Sequence, residues 1–112
     1  MSDYELPVTV SSVRHQFGTF FDSVRLLYNL SFFKEEKGYR AEAVKKYADE
    51  MFEANRISEY VRSIIGEAIQ KFTLLSPVKL KEMNPTKLEQ LSKWINISIY
   101  DINGEIADLM SK

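Results

Sequence analysis

Apolar positions along most of the chain recur at steps of three and four, the period of helices that bury one face. The start is the exception. Tyr4, Leu6, Val8 and Val10 alternate with Glu5, Pro7 and Thr9, a strand-like period that Pro7 confines to an edge or an extended arm. Residues 1–10 are therefore expected as an arm, followed by Ser11 or Ser12 as cap of a helix over about 12–33. On that helix Val13, Phe17, Phe20, Phe21, Val24, Leu27 and Tyr28 form one stripe, and beyond Asp22 a second apolar side appears at Leu26, Leu30 and Phe33.

Lys34-Glu35-Glu36-Lys37-Gly38 breaks the pattern, with lysine suited to a helix end and Gly38 to a left-handed cap. A second helix is expected over about 39–54, through Ala43, Val44, Tyr47, Ala48, Met51 and Phe52. A third, over about 57–75, carries Ile57, Tyr60, Val61, Ile64, Ile65, Ala68, Ile69 and Phe72 around half its circumference, as befits a helix between two neighbours. The two segments can also be read as one. Val44, Tyr47, Met51, Ala54, Ser58, Val61, Ile65, Ala68, Phe72 and Leu75 step by three and four without a proline or glycine before Gly66, and only Ser58 is polar. One helix over residues 39–75 would be about 55 Å long, against about 35 Å for a domain of this size, and a second chain would have to cover the overhang. A turn near Asn55, a residue that tolerates the left-handed conformation, is the favoured reading.

Ser76-Pro77 ends the third segment and opens a connector over 76–84. Asn84 then caps a last helix over about 85–110 with Pro85 in its first turn, or Thr86 caps it with Glu89 closing a capping box. Leu88, Leu91, Ile95, Ile99, Ile102, Ile106 and Leu109 stay in phase across Asn103-Gly104, which favours continuity there. The expected fold is all-α: a single domain, a small bundle of about four helices with an extended N-terminal arm, and one long central helix as the variant.

Composition supports a folded domain. At 112 residues and 45% hydrophobic content a core can form without staples, and a formal charge of −1 offers no general attraction to nucleic acid or anionic membrane. No cysteine is present, which excludes disulfides, thiol nucleophiles and thiolate metal sites. Asp3, Glu5, Arg14 and Asp22 interrupt the opening residues, so no signal or membrane segment is expected, and the chain reads as cytoplasmic.

Candidate chemistry is sparse. His15 is the single histidine, and its sequence neighbours Arg14, Gln16 and Phe17 include no orienting carboxylate. The carboxylate pairs Glu35/Glu36, Asp49/Glu50 and Asp101/Glu105 fall among residues patterned as solvated helix surface. The four glycines, Gly18, Gly38, Gly66 and Gly104, are isolated and make no phosphate loop. No catalytic residue, cofactor or metal site is expected. Lys79, Lys81, Lys87 and Lys93 outnumber Glu82 and Glu89 and form a weak basic patch, while Arg14 and Gln16 are the one cluster suited to reading bases. These support an alternative role as a nucleic-acid-associated accessory factor.

The aromatic content points elsewhere. Seven Phe and six Tyr exceed the needs of a small helical core. Phe17, Phe20, Phe72 and Tyr60 fall on core stripes, whereas Phe32, Phe33, Phe52, Trp94 and Tyr100 do not. Trp94, Ile97 and Tyr100 project away from the main stripe of the last helix, as Leu26, Leu30 and Phe33 do on the first. Such residues are enriched at the centres of protein interfaces. The expectation is a non-catalytic interaction protein that oligomerises or docks on a larger protein as regulator, inhibitor or structural component, a type frequent among phage and bacterial accessory proteins. Its interface candidates are Leu26, Leu30, Phe33, Phe52, Trp94, Ile97 and Tyr100.

Overall fold

The computed structural model describes residues 8–32, 40–73, 75 and 83–111. Four helices run through them: α1 (Val10–Phe32), α2 (Ala41–Glu53), α3 (Glu59–Thr73) and α4 (Pro85–Met110), with no strand among the described residues.

The start of α1 corrects the expected arm. Thr9 and Ser12 bond reciprocally: the Thr9 N–H donates to Ser12 Oγ at 2.9 Å, and the Ser12 N–H donates to Thr9 Oγ1 at 3.1 Å. The Val13 N–H closes the first helical turn on the Thr9 carbonyl at 3.0 Å. Thr9 is thus the cap, in a capping-box arrangement with serine at the third position, and Ser11 and Ser12 lie inside the first turn. A cap at Ser11 or Ser12 would forgo this exchange, so Val10 is helical despite its place in an alternating run. The rest of the arm, residues 1–7, and the expected break at Lys34–Gly38 lie outside the described residues.

Between α2 and α3 the structure decides for two helices, and the single long helix is not formed. Asn55 has φ 58°, the left-handed conformation. The Arg56 N–H donates to the Met51 carbonyl at 2.8 Å and the Asn55 N–H to the Phe52 carbonyl at 3.0 Å, the paired bonds of a Schellman ending. Ser58 then accepts the Val61 N–H on its Oγ at 3.2 Å. The lone polar member of the heptad seam is therefore the N-cap of α3. These contacts satisfy backbone groups at both new ends, and the fold-back lets α2 and α3 cover each other instead of extending past the domain.

Asn84 caps α4 through Oδ1, which accepts the Lys87 N–H at 2.8 Å, with Pro85 in the first turn. The helix continues through Asn103 and Gly104. Its 26 residues extend about 39 Å.

α1 lies chiefly along α4 and also meets α2 and α3, α2 pairs with α3, and α3 touches α4 more lightly. Val13, Phe17, Phe20, Val24 and Leu27 of α1 are wholly buried, with Met51, Ile65, Ala68, Ile95 and Ile102 from the other helices. Phe72 packs edge-on against Phe17 and Phe21 at 5.3 and 5.4 Å, and Tyr28 stacks on Tyr47 at 4.3 Å. Tyr60 departs from expectation: it is 62% exposed. The buried side of α3 is narrower than half its circumference: Val61, Ile64, Ile65 and Ala68 fill it.

Candidate interaction surface

The packing of α4 sorts the apolar residues set apart by the sequence pattern into core edge and surface. Its inner face is Leu88, Ile95, Ser98, Ile102 and Ile106, all buried. One flank is tied to α1, where Gln16 Nε2 donates to Asn96 Oδ1 at 2.9 Å and to the Ser92 carbonyl at 3.5 Å. The other flank is tied to α3, where the Tyr60 hydroxyl donates to Asp101 Oδ2 at 2.9 Å. With both flanks pinned, the rotation of α4 about its axis is fixed, and Ile97 and Tyr100 point outward at 60% and 79% exposure.

The other candidates fare differently. Trp94 is half-buried against the core, with the Lys71 ammonium 5.2 Å from its ring centroid. Phe52 is likewise packed on the core, under the Arg62 guanidinium at 4.7 Å. Leu30 also packs against the core, whereas Leu26 is 48% exposed on α1. Phe33 lies outside the described residues. The structure therefore brings Ile97 and Tyr100 together, adds Tyr60 beside them through Asp101, and leaves Leu26 apart on another helix. Tyr60 was missed because apolar periodicity alone does not say which end of a wide stripe is covered. Its signal was position, since it stands in the first turn after the Ser58 cap.

The residues that looked suited to nucleic acid or to catalysis are mostly engaged within the fold. Arg14 Nη1 donates to the Leu75 carbonyl at 3.3 Å, and its guanidinium lies 5.5 Å from the Phe72 ring centroid. Gln16 is held on α4, while Arg14 stays exposed on α1. Lys93 lies 3.7 Å from Glu89 one turn earlier, and Lys87 is exposed. Lys79 and Lys81 lie outside the described residues. A groove of about 470 Å³ beside Trp94 is lined by Leu75, Met83, Leu91, Lys71, Lys87 and Gln90.

Three of the paired carboxylates, Asp49, Glu50 and Asp101, also serve the fold. Asp49 Oδ1 accepts Arg62 Nε and Nη2 at 3.2 and 3.1 Å, joining α2 to α3. Glu50 Oε2 accepts the Tyr28 hydroxyl at 2.8 Å, joining α2 to α1. Burial of the Tyr28 phenol, helped by this bond to an anion, pushes its pKa up from 10.0 to about 12. The Tyr60 phenol is raised as well, first by its hydrogen bond to Asp101 and then by that carboxylate's charge. Glu35 and Glu36 lie outside the described residues, and His15 is exposed on α1. Among the described residues no group of three or more His, Asp and Glu is placed to hold a metal ion, and no helix is long and apolar enough to cross a membrane.

Comparison of the chain with protein-family models, with curated proteins and with solved structures found no match.

Proposed function

We propose that this protein is a non-catalytic protein–protein interaction module whose working surface is the outer face of α4 around Ile97 and Tyr100, with Tyr60 at its edge. One observation carries the reading. Two large apolar side chains, one turn apart, stand 60% and 79% exposed on a helix whose other three sides are already packed or tied. Scattered single exposed hydrophobics are ordinary, but an isoleucine and a tyrosine adjacent on one ridge, with a second tyrosine alongside, make an association patch. Aromatic residues supply much contact area for little lost side-chain freedom, which suits them to interface centres.

The test is mass in solution by light scattering, from low micromolar to several hundred micromolar protein, for the wild type and for Tyr100→Glu. Because Tyr100 has few contacts within its own chain, the variant keeps the wild-type circular dichroism and melting temperature. Concentration-dependent growth in mass that this variant abolishes supports the reading. Association that persists unchanged in Tyr100→Glu overturns it for this surface.

A further inference from the structure

Asp101 stands within the apolar surface of α4 with no cation against it. Its Oδ2 accepts the Tyr60 hydroxyl at 2.9 Å, so it lies between Tyr60 on α3 and its neighbour Tyr100 on α4, with Ile97 one turn earlier. Asp101 is half-buried, yet it makes no ion pair among the described residues. Carboxylates drawn partly out of water are ordinarily paired. The cations nearest in sequence on both helices are engaged elsewhere. Lys93, one turn before Ile97, lies 3.7 Å from Glu89, and Arg62, two residues after Tyr60, lies 3.1 Å from Asp49 of α2. From Trp94 to Ser111 α4 carries Asp101, Glu105 and Asp108 and no lysine or arginine. These three follow at steps of four and three, so they line one edge of the outer face.

We infer that this face binds a basic amphipathic helix of another protein, which lays apolar residues over Ile97, Tyr100 and Tyr60 and sets a cationic side chain against Asp101. The inference rests on the interaction reading above and adds the chemistry of the partner. An exposed helical ridge is matched by a second helix, whose rows of side chains three and four apart fit its grooves. Arginine suits the place opposite Asp101, because its fork matches a carboxylate and its plane can lie on a tyrosine ring. Glu105 and Asp108, further along the same edge, draw cations on the polar side of the partner and orient its approach. The same charges repel an anionic membrane or a nucleic acid from this face.

Two labelled peptides of about 18 residues, long enough to hold a helix, test this by fluorescence anisotropy. Both carry leucine and alanine on one face; the other face is arginine and lysine in the first and glutamate in the second. The basic peptide is expected to bind at least about tenfold more tightly than the acidic one. Asp101→Asn, whose amide oxygen can still accept the Tyr60 hydroxyl, should weaken the basic peptide about tenfold. Glu42→Gln, an equal loss of charge at an exposed site in the first turn of α2, should change it by less than about twofold. Tyr100→Glu adds a negative charge yet should weaken binding about tenfold, because apolar contact is lost. The inference is overturned if the basic peptide does not bind at several hundred micromolar protein, or if the acidic peptide binds as well. It is equally overturned if Glu42→Gln acts like Asp101→Asn, or if Tyr100→Glu binds more tightly, since either result means diffuse attraction without docking. Self-association of the protein alone that Tyr100→Glu abolishes would still support the interaction reading in any of these cases, so the two failures are told apart.

Discussion

Tyr28 offers a quantitative check on how α1 and α2 are joined. Its side chain is 1% exposed, its ring stacks on Tyr47, and its hydroxyl donates to Glu50 at 2.8 Å. Tyr28→Phe keeps the ring and removes the hydroxyl, leaving the half-buried Glu50 carboxylate without this donor. A hydrogen bond to a charged group contributes about 1.5–3 kcal/mol, and the variant should lose about that much stability near neutral pH. The pH dependence is more specific. The folded state holds the phenol neutral up to about 12, whereas the unfolded chain ionises it near 10.0. The folded-state pKa is the higher, so this contribution is fully present below about pH 10 and is lost as pH rises toward about 12. A displacement of two units corresponds to about 3 kcal/mol. Urea unfolding of the wild type should thus lose about 2–3 kcal/mol more than Tyr28→Phe between about pH 9 and about pH 12. Tyr60, whose pKa is also raised, slopes the same way in both proteins and cancels in the difference. Curves that run parallel over this interval would refute the buried tyrosine–glutamate link as described.

Four further substitutions probe the helices themselves. Gly18 and Gly66 lie inside α1 and α3, and a Cβ at either meets nothing within 4 Å. Gly18→Ala and Gly66→Ala should each raise stability by about 0.5–1 kcal/mol in urea unfolding, and a loss from either would show that its open surroundings are misplaced. At Asn55, with φ 58°, replacement by glycine should change stability by only a few tenths of a kcal/mol, whereas Asn55→Val should cost about 1–2 kcal/mol. Were residues 39–75 one continuous helix, valine at this position would instead leave stability nearly unchanged, as between two residues of similar helix propensity.

Much of the fold was legible because the strongest signals were local and reinforced one another. The Asn84-Pro85 start of α4 needs only a side-chain oxygen and a proline with no N–H to lose, and both stand next to each other in the sequence. Asn55 and Ser58, three residues apart, likewise announce a helix end and a helix start. The period of the apolar seam ran through them because α2 and α3 face the same core after the fold-back, so continuity of phase did not imply continuity of helix. The Thr9 cap was missed because the reciprocal partner of a Thr or Ser cap is usually Glu or Gln, and here it is Ser12. Tertiary ties were not legible. Nothing in the local sequence says that Gln16 will reach Asn96, eighty residues away, or that Tyr60 will find Asp101.

Those ties account for several polar residues and leave the apolar surface of α4 around Ile97 and Tyr100 as one feature without a use inside the described part of the fold. Arg14, Gln16, Asp49, Glu50 and Asp101 are polar side chains at the rim of the core. Each makes a bond between segments of this chain: Arg14 with the Leu75 carbonyl, Gln16 with Asn96 of α4, Asp101 with Tyr60 of α3, Asp49 with Arg62 of α3 and Glu50 with Tyr28 of α1. The pattern follows from size, because four helices of a 112-residue chain share a limited apolar core and orient one another partly through polar contacts at its rim. It also has a consequence for the surface. Gln16–Asn96 and Tyr60–Asp101 fix α4 from opposite sides, so Ile97 and Tyr100 cannot be buried by a small rotation of the helix without breaking one of them. Their exposure is a result of how firmly α4 is held, and a partner that covers them gains apolar burial with little ordering cost on this side of the contact.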